Sequence, residues 1–491
     1  MSDQPSTVYD EYDVVVVGHG ISGLATGLSA HESGANTVIL EKSPRDKRGG
    51  HSRHAGGLFR FPMEDPAEVQ ERFDLDQPVE QYTKQDFFDD LMEVSSGRAD
   101  ETLCWEFVEN AYDAIQWITD HGVTWHVIDH SDEPGFGTTI GGIQSDGEGK
   151  GAIETLSDRA HDLGIDIHYD TEFRGLETDA NNAVIAAKAL GPDGKVRYEV
   201  PSVVISAGSY VSNPEKRTRY FGRDGERYIV RGSRYNTGEA LDAAMDIGAK
   251  PAGEWGGAHQ VMNDAAAPAV EGGRARINGY QYSIVLNRDG ERFIDEGEDF
   301  LLKTYAKLGK SVYDQPNQEA FVIFDSTVDD LVVSQIDTDP IKAETLESLV
   351  ELLDIDRPAT AVDTILEFNE ATDPGEFDPF SLDGNATTGT EPPKTNWAIP
   401  IDEPPFKCFP VRSAITFAFG GLKINTESQV LDTRERPIPG LWAVGNSTAE
   451  FFYGNYPGGS ALTRGTTFGR RAGRNAAEYA EANRVVGTAG D

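Results

Sequence analysis

The chain has very few cysteines. Cys104 and Cys408 are its two, and no CxxC, CxxCH or Cys/His cluster accompanies them. A disulfide framework, a structural zinc site, an iron–sulfur cluster and a c-type haem all need closely spaced thiolates, so the sequence encodes none of these. We therefore expect no metal site, and any redox cofactor must be held without thiolates.

Long apolar runs and positive charge are also scarce. No apolar stretch approaches the roughly 18 residues of a membrane span. Residues 1–12 are polar and acidic, where a signal peptide needs a basic and then an apolar region. Asp and Glu number 83 against 43 Lys and Arg, a net charge of −40 that repels a phosphate backbone. We expect a cytoplasmic protein that is not integral to a membrane and binds no nucleic acid.

Lysine is the rarer basic residue, at 15 of 43, and the acidic excess runs along the whole chain. This pattern resembles that of cytosolic proteins from salt-loving archaea. At molar salt the Debye length falls to about 3 Å, which screens self-repulsion, while hydrated carboxylates keep the surface soluble. The composition predicts a halophilic protein, and the alternative is an acidic protein from ordinary salt.

A dinucleotide-binding pattern opens the chain. The β-branched run Val14–Val17 leads into Gly18-His19-Gly20-Ile21-Ser22-Gly23 and a helical pattern, and Glu41 closes the next strand 18 positions after Gly23. Glycines allow a tight turn and close backbone approach, the helix N-terminus attracts pyrophosphate, and the carboxylate accepts from ribose hydroxyls. The spacing alone does not choose between NAD and FAD.

Further motifs follow in order along the chain. They are the Gly-rich loop RGGHSRHAGG at 48–57, NTGE at 236–239, NRDGERF at 287–293, FGGL at 419–422 and IPGLWAVG at 438–445. Together they resemble the flavoprotein superfamily of fumarate reductase and succinate dehydrogenase. The resemblance implies FAD and an α/β fold: a glutathione-reductase-like, FAD-binding Rossmann domain with an inserted α+β capping domain. We expect the FAD domain at 1–253 and 410–491 and the capping, substrate-binding domain at 254–409.

The same resemblance implies a set of cofactor-binding residues, which come from the glycine loops, the acidic strand and the last helix. They are Gly18, Gly20, Ile21, Ser22, Gly23, Glu41, Lys42, Gly49, Gly50, His51, Ser52, Gly56, Gly57, Phe173, Ala207, Gly208, Asn236, Gly238, Glu239, Gly445, Asn446, Gly459, Ser460, Ala461 and Leu462.

Within the superfamily the chain resembles the tricarballylate dehydrogenase branch. The segments that carry this resemblance are EKSPR at 41–45, DEG at 295–297, TYAK at 304–307 and ITF at 415–417. The stretch NYPGG at 455–459 also resembles 3-ketosteroid dehydrogenases. Fumarate reductases have paired histidines and an Asn-Arg-Leu segment at two positions of this pattern. Both are absent here, so the resemblance implies that the fumarate-type substrate contacts are absent too. The family's Gly-Glu near the flavin is Gly445-Asn446 here. The histidyl–flavin position falls on Gly50, so we expect a non-covalent flavin.

Candidate substrate contacts include one histidine and several arginines. His259 falls where the superfamily often has a substrate-facing histidine, with a structural histidine as the alternative. Arg274, with Arg276 nearby, and Arg464 near the flavin end would bind carboxylates bidentately if they reach one pocket. The alternative is that they are surface counter-charges.

The proton-transferring group is expected on a short helix. In fumarate reductases the proton donor is an arginine shortly after the residues that match 295–296. The corresponding stretch here, GEDFL at 297–301, contains no arginine. On the helix that follows, Lys303 and Tyr305 lie on nearly opposite stripes. We expect Tyr305 to face the closed, water-poor interface and exchange the proton, and Tyr456 to polarise a substrate oxygen. In the alternative Tyr305 belongs to the core.

The implied reaction is oxidation or reduction of a CH–CH bond beside a carboxylate or carbonyl, with flavin N5 exchanging the hydride. We expect dehydrogenation of a small polycarboxylate of tricarballylate type. The alternatives are 3-ketosteroid Δ1-dehydrogenation, a fumarate reductase-like activity and a flavin-carrying electron-transfer subunit. Because no haem or cluster is encoded, electrons pass to a separate carrier.

Salt should govern the stability of this chain. As KCl rises from about 0.1 M towards molar, repulsion among the net negative charges is screened, so the melting temperature and the retained flavin should both increase. Thermal melting and flavin release across a KCl series test this. A melting temperature that stays flat would contradict the halophilic interpretation.

Overall fold

A computed structural model of the chain describes residues 7–128, 134–135, 141–372 and 375–483. The helices are α1 Ile21–Glu32, α2 Pro66–Arg72, α3 Lys84–Val94, α4 Glu101–Asp120, α5 Glu148–Asp162, α6 Pro214–Phe221, α7 Glu239–Asp246, α8 Leu301–Tyr313, α9 Leu346–Glu351, α10 Pro358–Ala371 and α11 Ser460–Ala482.

The strands follow the chain in order. They are β1 Thr7–Tyr9, β2 Val14–Val17, β3 Thr37–Leu40, β4 Leu58–Arg60, β5 Trp125–His126, β6 Gly142–Ser145, β7 Asp166–His168, β8 Glu172–Thr178, β9 Val184–Gly191, β10 Gly194–Glu199, β11 Ser202–Ile205, β12 Ile229–Val230, β13 Pro251–Ala252, β14 Ala258–Asp264, β15 Ile277–Asn278, β16 Ile284–Leu286, β17 Glu319–Phe324, β18 Val333–Ser334, β19 Ile341–Ala343, β20 Phe406–Ala418, β21 Gly421–Leu422, β22 Gln429–Leu431 and β23 Pro437–Ala443.

The central sheet has the strand order β22-β23-β11-β2-β3-β7. Its strands pair in parallel except β22, which is antiparallel to β23. Strand β2 is four consecutive buried valines, as expected of a parallel strand covered on both faces. Ligands bind beyond the carboxyl ends of strands in such sheets. The loops after β2, β3, β11 and β23 are therefore expected to form the ligand site.

Helices α1 and α11 pack closely against each other. A Cβ added at Gly473 would lie 2.3 Å from the Thr26 carbonyl oxygen, and one at Gly469 would lie 2.7 Å from that of Ser22. Only glycine allows this approach. The contact fixes the start of α11 beside the start of α1, and both helix starts line the cavity described below.

The middle of the chain forms a second sheet around the 13-residue strand β20. The order is β12-β20-β17-β16, and β14 and β19 also pair with β20. Two apolar clusters lie on this sheet, one around Trp397 and one around Phe368. Strand β12 joins from before residue 254, and β20 continues past residue 409 to Ala418, so the sheet crosses both expected domain boundaries.

The architecture is mixed α/β, as the sequence predicts. In the described part of the chain, no helix combines the length and the apolar character that crossing a bilayer requires.

Candidate active site

One cavity of about 560 Å³ runs from the glycine loop after β2 to the sheet of the middle segment. Its walls include Val17, Leu40, Ala207 and Gly445, each of which ends or follows a strand of the central sheet. The cavity therefore lies at the carboxyl edge of that sheet, where dinucleotide cofactors bind in this class of fold.

The first end of the cavity is built from backbone. Gly18 has φ +107°, and a Cβ there would lie 2.7 Å from the Ser206 carbonyl oxygen, while one at Gly23 would lie 1.9 Å from the Gly18 oxygen. The N-cap residue of helix α1 is Gly20, which has no side chain, and the Ile21 N–H donates to Ser52 Oγ at 3.2 Å. A helix start with a glycine N-cap beside a close-packed glycine turn fits a pyrophosphate.

Glu41 and Lys42 line the same end. Glu41 is buried and accepts from the backbone N–H of His19 at 3.1 Å and of Ser43 at 2.7 Å. Lys42 donates to Glu239 at 2.9 Å and lies 3.2 Å from Glu172. A carboxylate fixed by two backbone donors keeps lone pairs for ribose hydroxyls, so this end fits the adenosine half of FAD.

The middle of the cavity lies between the loop 50–58, Gly445 and the start of α11. Within the described chain, His51 Nε2 and Asn236 Oδ1 are buried without a hydrogen-bond partner. Burial also lowers the pKa of His51 to about 3, so its ring is neutral. Orphaned buried polar atoms on a cavity wall fit a polar ligand such as the ribityl and flavin portions of FAD.

Most of the expected cofactor residues line this cavity. Gly23, Gly49 and Ser460 do not, whereas Gly18, Gly20, Ile21, Ser22, Glu41, Lys42, Gly50, His51, Ser52, Gly56, Gly57, Phe173, Ala207, Gly208, Asn236, Gly238, Glu239, Gly445, Asn446, Gly459, Ala461 and Leu462 do. The role of Gly23 is the close helix–strand packing described above, and that of Gly49 is a left-handed turn with φ +103°.

Three side chains meet at the far end of the cavity. The Tyr305 hydroxyl lies 3.4 Å from the Tyr456 hydroxyl, and the His259 ring is 5.4 Å from that of Tyr305 and 4.6 Å from that of Tyr456, between centroids. Neither ring nitrogen of His259 has a partner among the described residues. Tyr305 faces this end as expected, while Lys303 is exposed and paired with Asp299.

Burial and charge set the protonation of this group. Burial, with help from Arg231 and Arg276, lowers the pKa of His259 well below its usual value, so the ring is neutral. Burial raises the pKa of Tyr456 well above its usual value, so this phenol stays protonated. Tyr456 is therefore a hydrogen-bond donor across the ordinary pH range.

Arg231 is a cavity residue that the sequence analysis did not single out. It follows β12 and is held by β12–β20 pairing beside Thr416, so its guanidinium donates to the Gly273 carbonyl and the Thr416 hydroxyl, both at 3.0 Å. Burial lowers its pKa. One sequence feature could have pointed to Arg231: it lies five residues before Asn236, which opens a motif already assigned to the flavin.

The expected arginines have different surroundings. Arg276 lines the cavity, donates to Asn278 at 2.8 Å and has its guanidinium carbon 5.0 Å from the Tyr305 ring centroid. Arg274 also lines the cavity but is half-exposed, 2.8 Å from Glu148. The cavity end is therefore cationic, with the buried Arg231 and the partly buried Arg276 on its wall.

Arg464 is not part of the cavity wall that the described residues form. It is buried behind the wall, with Nη2 bound to the Gly445 carbonyl at 3.1 Å and to Asn446 Oδ1 at 2.9 Å. Substrate contact by Arg464 is therefore a correction to the sequence analysis. On α11 the cavity faces Ala461, Leu462 and Gly465 instead.

Comparison with known proteins identifies the family. A family model described as an FAD binding domain matches residues 13–462. The chain belongs to this family. It is an FAD-dependent oxidoreductase, and the FAD binding domain occupies most of its length.

Relatives and solved structures agree with this assignment. The chain is 25% identical to the vinyl phenol reductase of Lactiplantibacillus plantarum, with 97% of this chain and 99% of that one covered. It is 27% identical to the urocanate reductase of Eggerthella lenta, with 97% and 76% covered. A flavocytochrome c3 fumarate reductase in an open conformation shares the fold, at TM-score 0.73 and 24% identity, with 97% and 79% covered. The 3-ketosteroid Δ1-dehydrogenase of Sterolibacterium denitrificans gives TM-score 0.75 at 20% identity, with 96% and 100% covered.

The backbone contact at Gly23 gives a test of the cofactor site. Gly23→Ala places a Cβ 1.9 Å from the Gly18 oxygen, so the turn must move and FAD retention should fall by tenfold or more. Gly175→Ala in β8 is the matched control, because its Cβ meets only the flexible Lys188 side chain at 3.3 Å. The measurement is FAD affinity by fluorescence titration of the apoprotein. Equal affinity of the Gly23→Ala variant and wild type would contradict the assigned role.

Proposed function

We propose that this FAD-dependent oxidoreductase acts on a carbon–carbon bond adjacent to a carboxylate, in the direction of reduction or dehydrogenation, and that Arg231 holds the carboxylate. The observation that carries the proposal is the buried guanidinium of Arg231, whose hydrogen-bond partners are a carbonyl and a hydroxyl. We also infer a glutathione-reductase-like FAD domain at 1–253 and 410–491, with residues 254–409 as a cap whose sheet extends into both flanking segments through β12 and the end of β20.

The charge at Arg231 favours an anionic substrate. A cation buried among neutral dipoles is costly, and an opposite charge that enters the same pocket offsets this cost. A guanidinium binds a carboxylate bidentately and with charge-assisted hydrogen bonds. Arg276 adds a second, partly buried positive charge on the same wall, so the pocket suits one carboxylate strongly and a second one on a polycarboxylate such as tricarballylate.

The aromatic side chains favour a flat, unsaturated group next to that carboxylate. The rings of Phe417 and Tyr456 are 5.2 Å apart, and the Phe417 ring is 5.6 Å from that of His259. Such a wall accepts an alkene or aromatic acid by face or edge contact. The vinyl phenol and urocanate reductases support a flat, unsaturated substrate by their names, and of these two substrates only urocanate is a carboxylate.

The protein groups then divide the chemistry. FAD, when bound, exchanges a hydride with one carbon of the substrate through flavin N5. Tyr305 exchanges the proton at the neighbouring carbon, and the protonated Tyr456 donates a hydrogen bond to a substrate oxygen, which stabilises the charge that develops there. His259 is neutral, so it orients the substrate by hydrogen bonding. A separate carrier exchanges electrons with the flavin.

A ketone substrate is the second candidate, because the two phenol hydroxyls lie 3.4 Å apart and a carbonyl oxygen could accept from either. The discriminating measurement is anaerobic: the photoreduced holoenzyme in molar KCl is mixed with fumarate, urocanate, cinnamate, aconitate or a 1,4-diene-3-ketosteroid, and flavin reoxidation is followed. We expect reoxidation by one or more of the carboxylates. Reoxidation by the steroid alone would replace the carboxylate proposal with the ketone one.

Arg231→Gln tests the carboxylate contact. Loss of one side of a buried charge pair costs about 2 kcal/mol or more, so KM or Kd for the active acid should rise roughly 30-fold while FAD stays bound. The control is Arg219→Gln, which removes an exposed arginine paired with Glu215. Unchanged binding of the acid to the Arg231→Gln variant would exclude the assigned contact.

Tyr305→Phe tests the proton transfer. Removing a positioned acid or base costs about 10²- to 10⁴-fold in rate, so reoxidation by substrate should slow by that factor while the flavin spectrum is unchanged. Tyr313→Phe on the same helix is the control, since its hydroxyl donates to backbone carbonyls away from the cavity. A loss below threefold in the Tyr305→Phe variant would return Tyr305 to a packing role.

A further inference from the structure

Helix α11 buries a positive charge in its first turns. Arg464 is 2% exposed, and its guanidinium carbon lies 4.8 Å from the Phe451 ring centroid and 4.6 Å from that of Phe452. Its Nη2 donates to the Gly445 carbonyl and to Asn446 Oδ1, and its Nε is buried without a partner among the described residues. Two aromatic faces and two neutral oxygens therefore hold this cation.

No acidic group of the described chain neutralises Arg464 by an ion pair. Cys104 is the nearby group that favours the charged guanidinium, but burial raises the pKa of its thiol to about 12, so it is neutral at ordinary pH. Arg471, two turns along the same helix, binds Glu106 instead. Arg470 also has no ion pair among the described residues, but it is only partly buried, so Arg464 is the buried arginine of α11 that lacks a counter-charge.

The position of Arg464 relates it to the flavin. Its two oxygen partners belong to Gly445 and Asn446, which line the cavity, and so do Leu462 and Gly465 on either side of it in sequence. The uncapped start of α11 at Gly459 adds the partial positive charge of a helix N-terminus. The helix start therefore lies on the cavity wall, and one layer of protein separates the charge of Arg464 from the cavity.

We propose that Arg464 is a positioning and electrostatic residue whose counter-charge is the two-electron-reduced flavin. A hydride carries two electrons and one proton, so a neutral flavin that receives one becomes an anion with charge −1. Arg464 stabilises this anion across Gly445 and Asn446, because a buried charge is weakly screened, and it holds Asn446 in place. Arg464 thereby raises the flavin's reduction potential and disfavours protonation of the anion. This inference rests on FAD binding and does not depend on which substrate the enzyme uses.

The reduction potential of Arg464→Met, measured by dye equilibration without substrate, tests the proposal. Methionine fills similar volume without charge, and the two-electron reduction equilibrium should fall at least tenfold, which corresponds to about 30 mV. Arg464→Lys should restore most of that shift. Arg471→Gln is the matched control on the same helix and should leave the potential unchanged. A wild-type potential in the Arg464→Met holoprotein would overturn the proposal.

The pH dependence of the flavin reduction potential, measured on the wild-type holoenzyme, provides a second test if the Arg464→Met variant does not fold. Reduction by two electrons and one proton changes the potential by about 30 mV per pH unit, and uptake of a second proton doubles this slope. We expect the single-proton slope from pH 6 to pH 8. The doubled slope in this range would mean a neutral reduced flavin, and would overturn the proposal. Both readouts omit substrate, so they remain valid if the carboxylate proposal fails.

Discussion

Backbone contact without intervening side chains is the constraint on which the site depends. Gly18, Gly23 and the Ser206 carbonyl meet so closely that a single Cβ cannot be inserted. The same holds where Gly469 and Gly473 of α11 meet α1. These contacts bring two helix starts with glycine N-caps and the ends of the parallel strands around one cavity, so the flavin site follows from the packing of the core.

The charge around the far end of the cavity is opposite in sign to that of the whole chain. The chain carries a net charge of −40, yet the ionic groups near this end include the buried Arg231 and Arg464 and the partly buried Arg276. Arginine suits these positions because its guanidinium is weakly hydrated and remains charged when buried. The positive charge that favours an anion is therefore local to the cavity, within a chain that is acidic as a whole.

Local motifs could be predicted from the sequence and long-range placements could not. The glycine loops were found because a tight turn and a helix start with a glycine N-cap are encoded within a few residues. Arg231 was missed because its place in the cavity depends on β12 pairing with β20, more than 180 residues later. Arg464 was placed on the wrong side of α11. At 100° per residue, Arg464 points about 110° away from the middle of the helix face formed by Ala461, Leu462 and Gly465. The packing of α11 against α1 decides which face of α11 meets the cavity.

In the proposed roles, the two buried arginines act on opposite partners of the same transfer. Hydride transfer moves negative charge between the substrate and the flavin, so the effect of a cation depends on whether the charge beside it changes. Arg231 stabilises the charge on the acid throughout the reaction, which affects binding more than the equilibrium. Arg464 acts on the charge that appears only when the flavin is reduced, which affects the potential directly. Specificity for the acid and the electron affinity of the flavin are therefore controlled by different residues, and a variant in one should leave the other property intact.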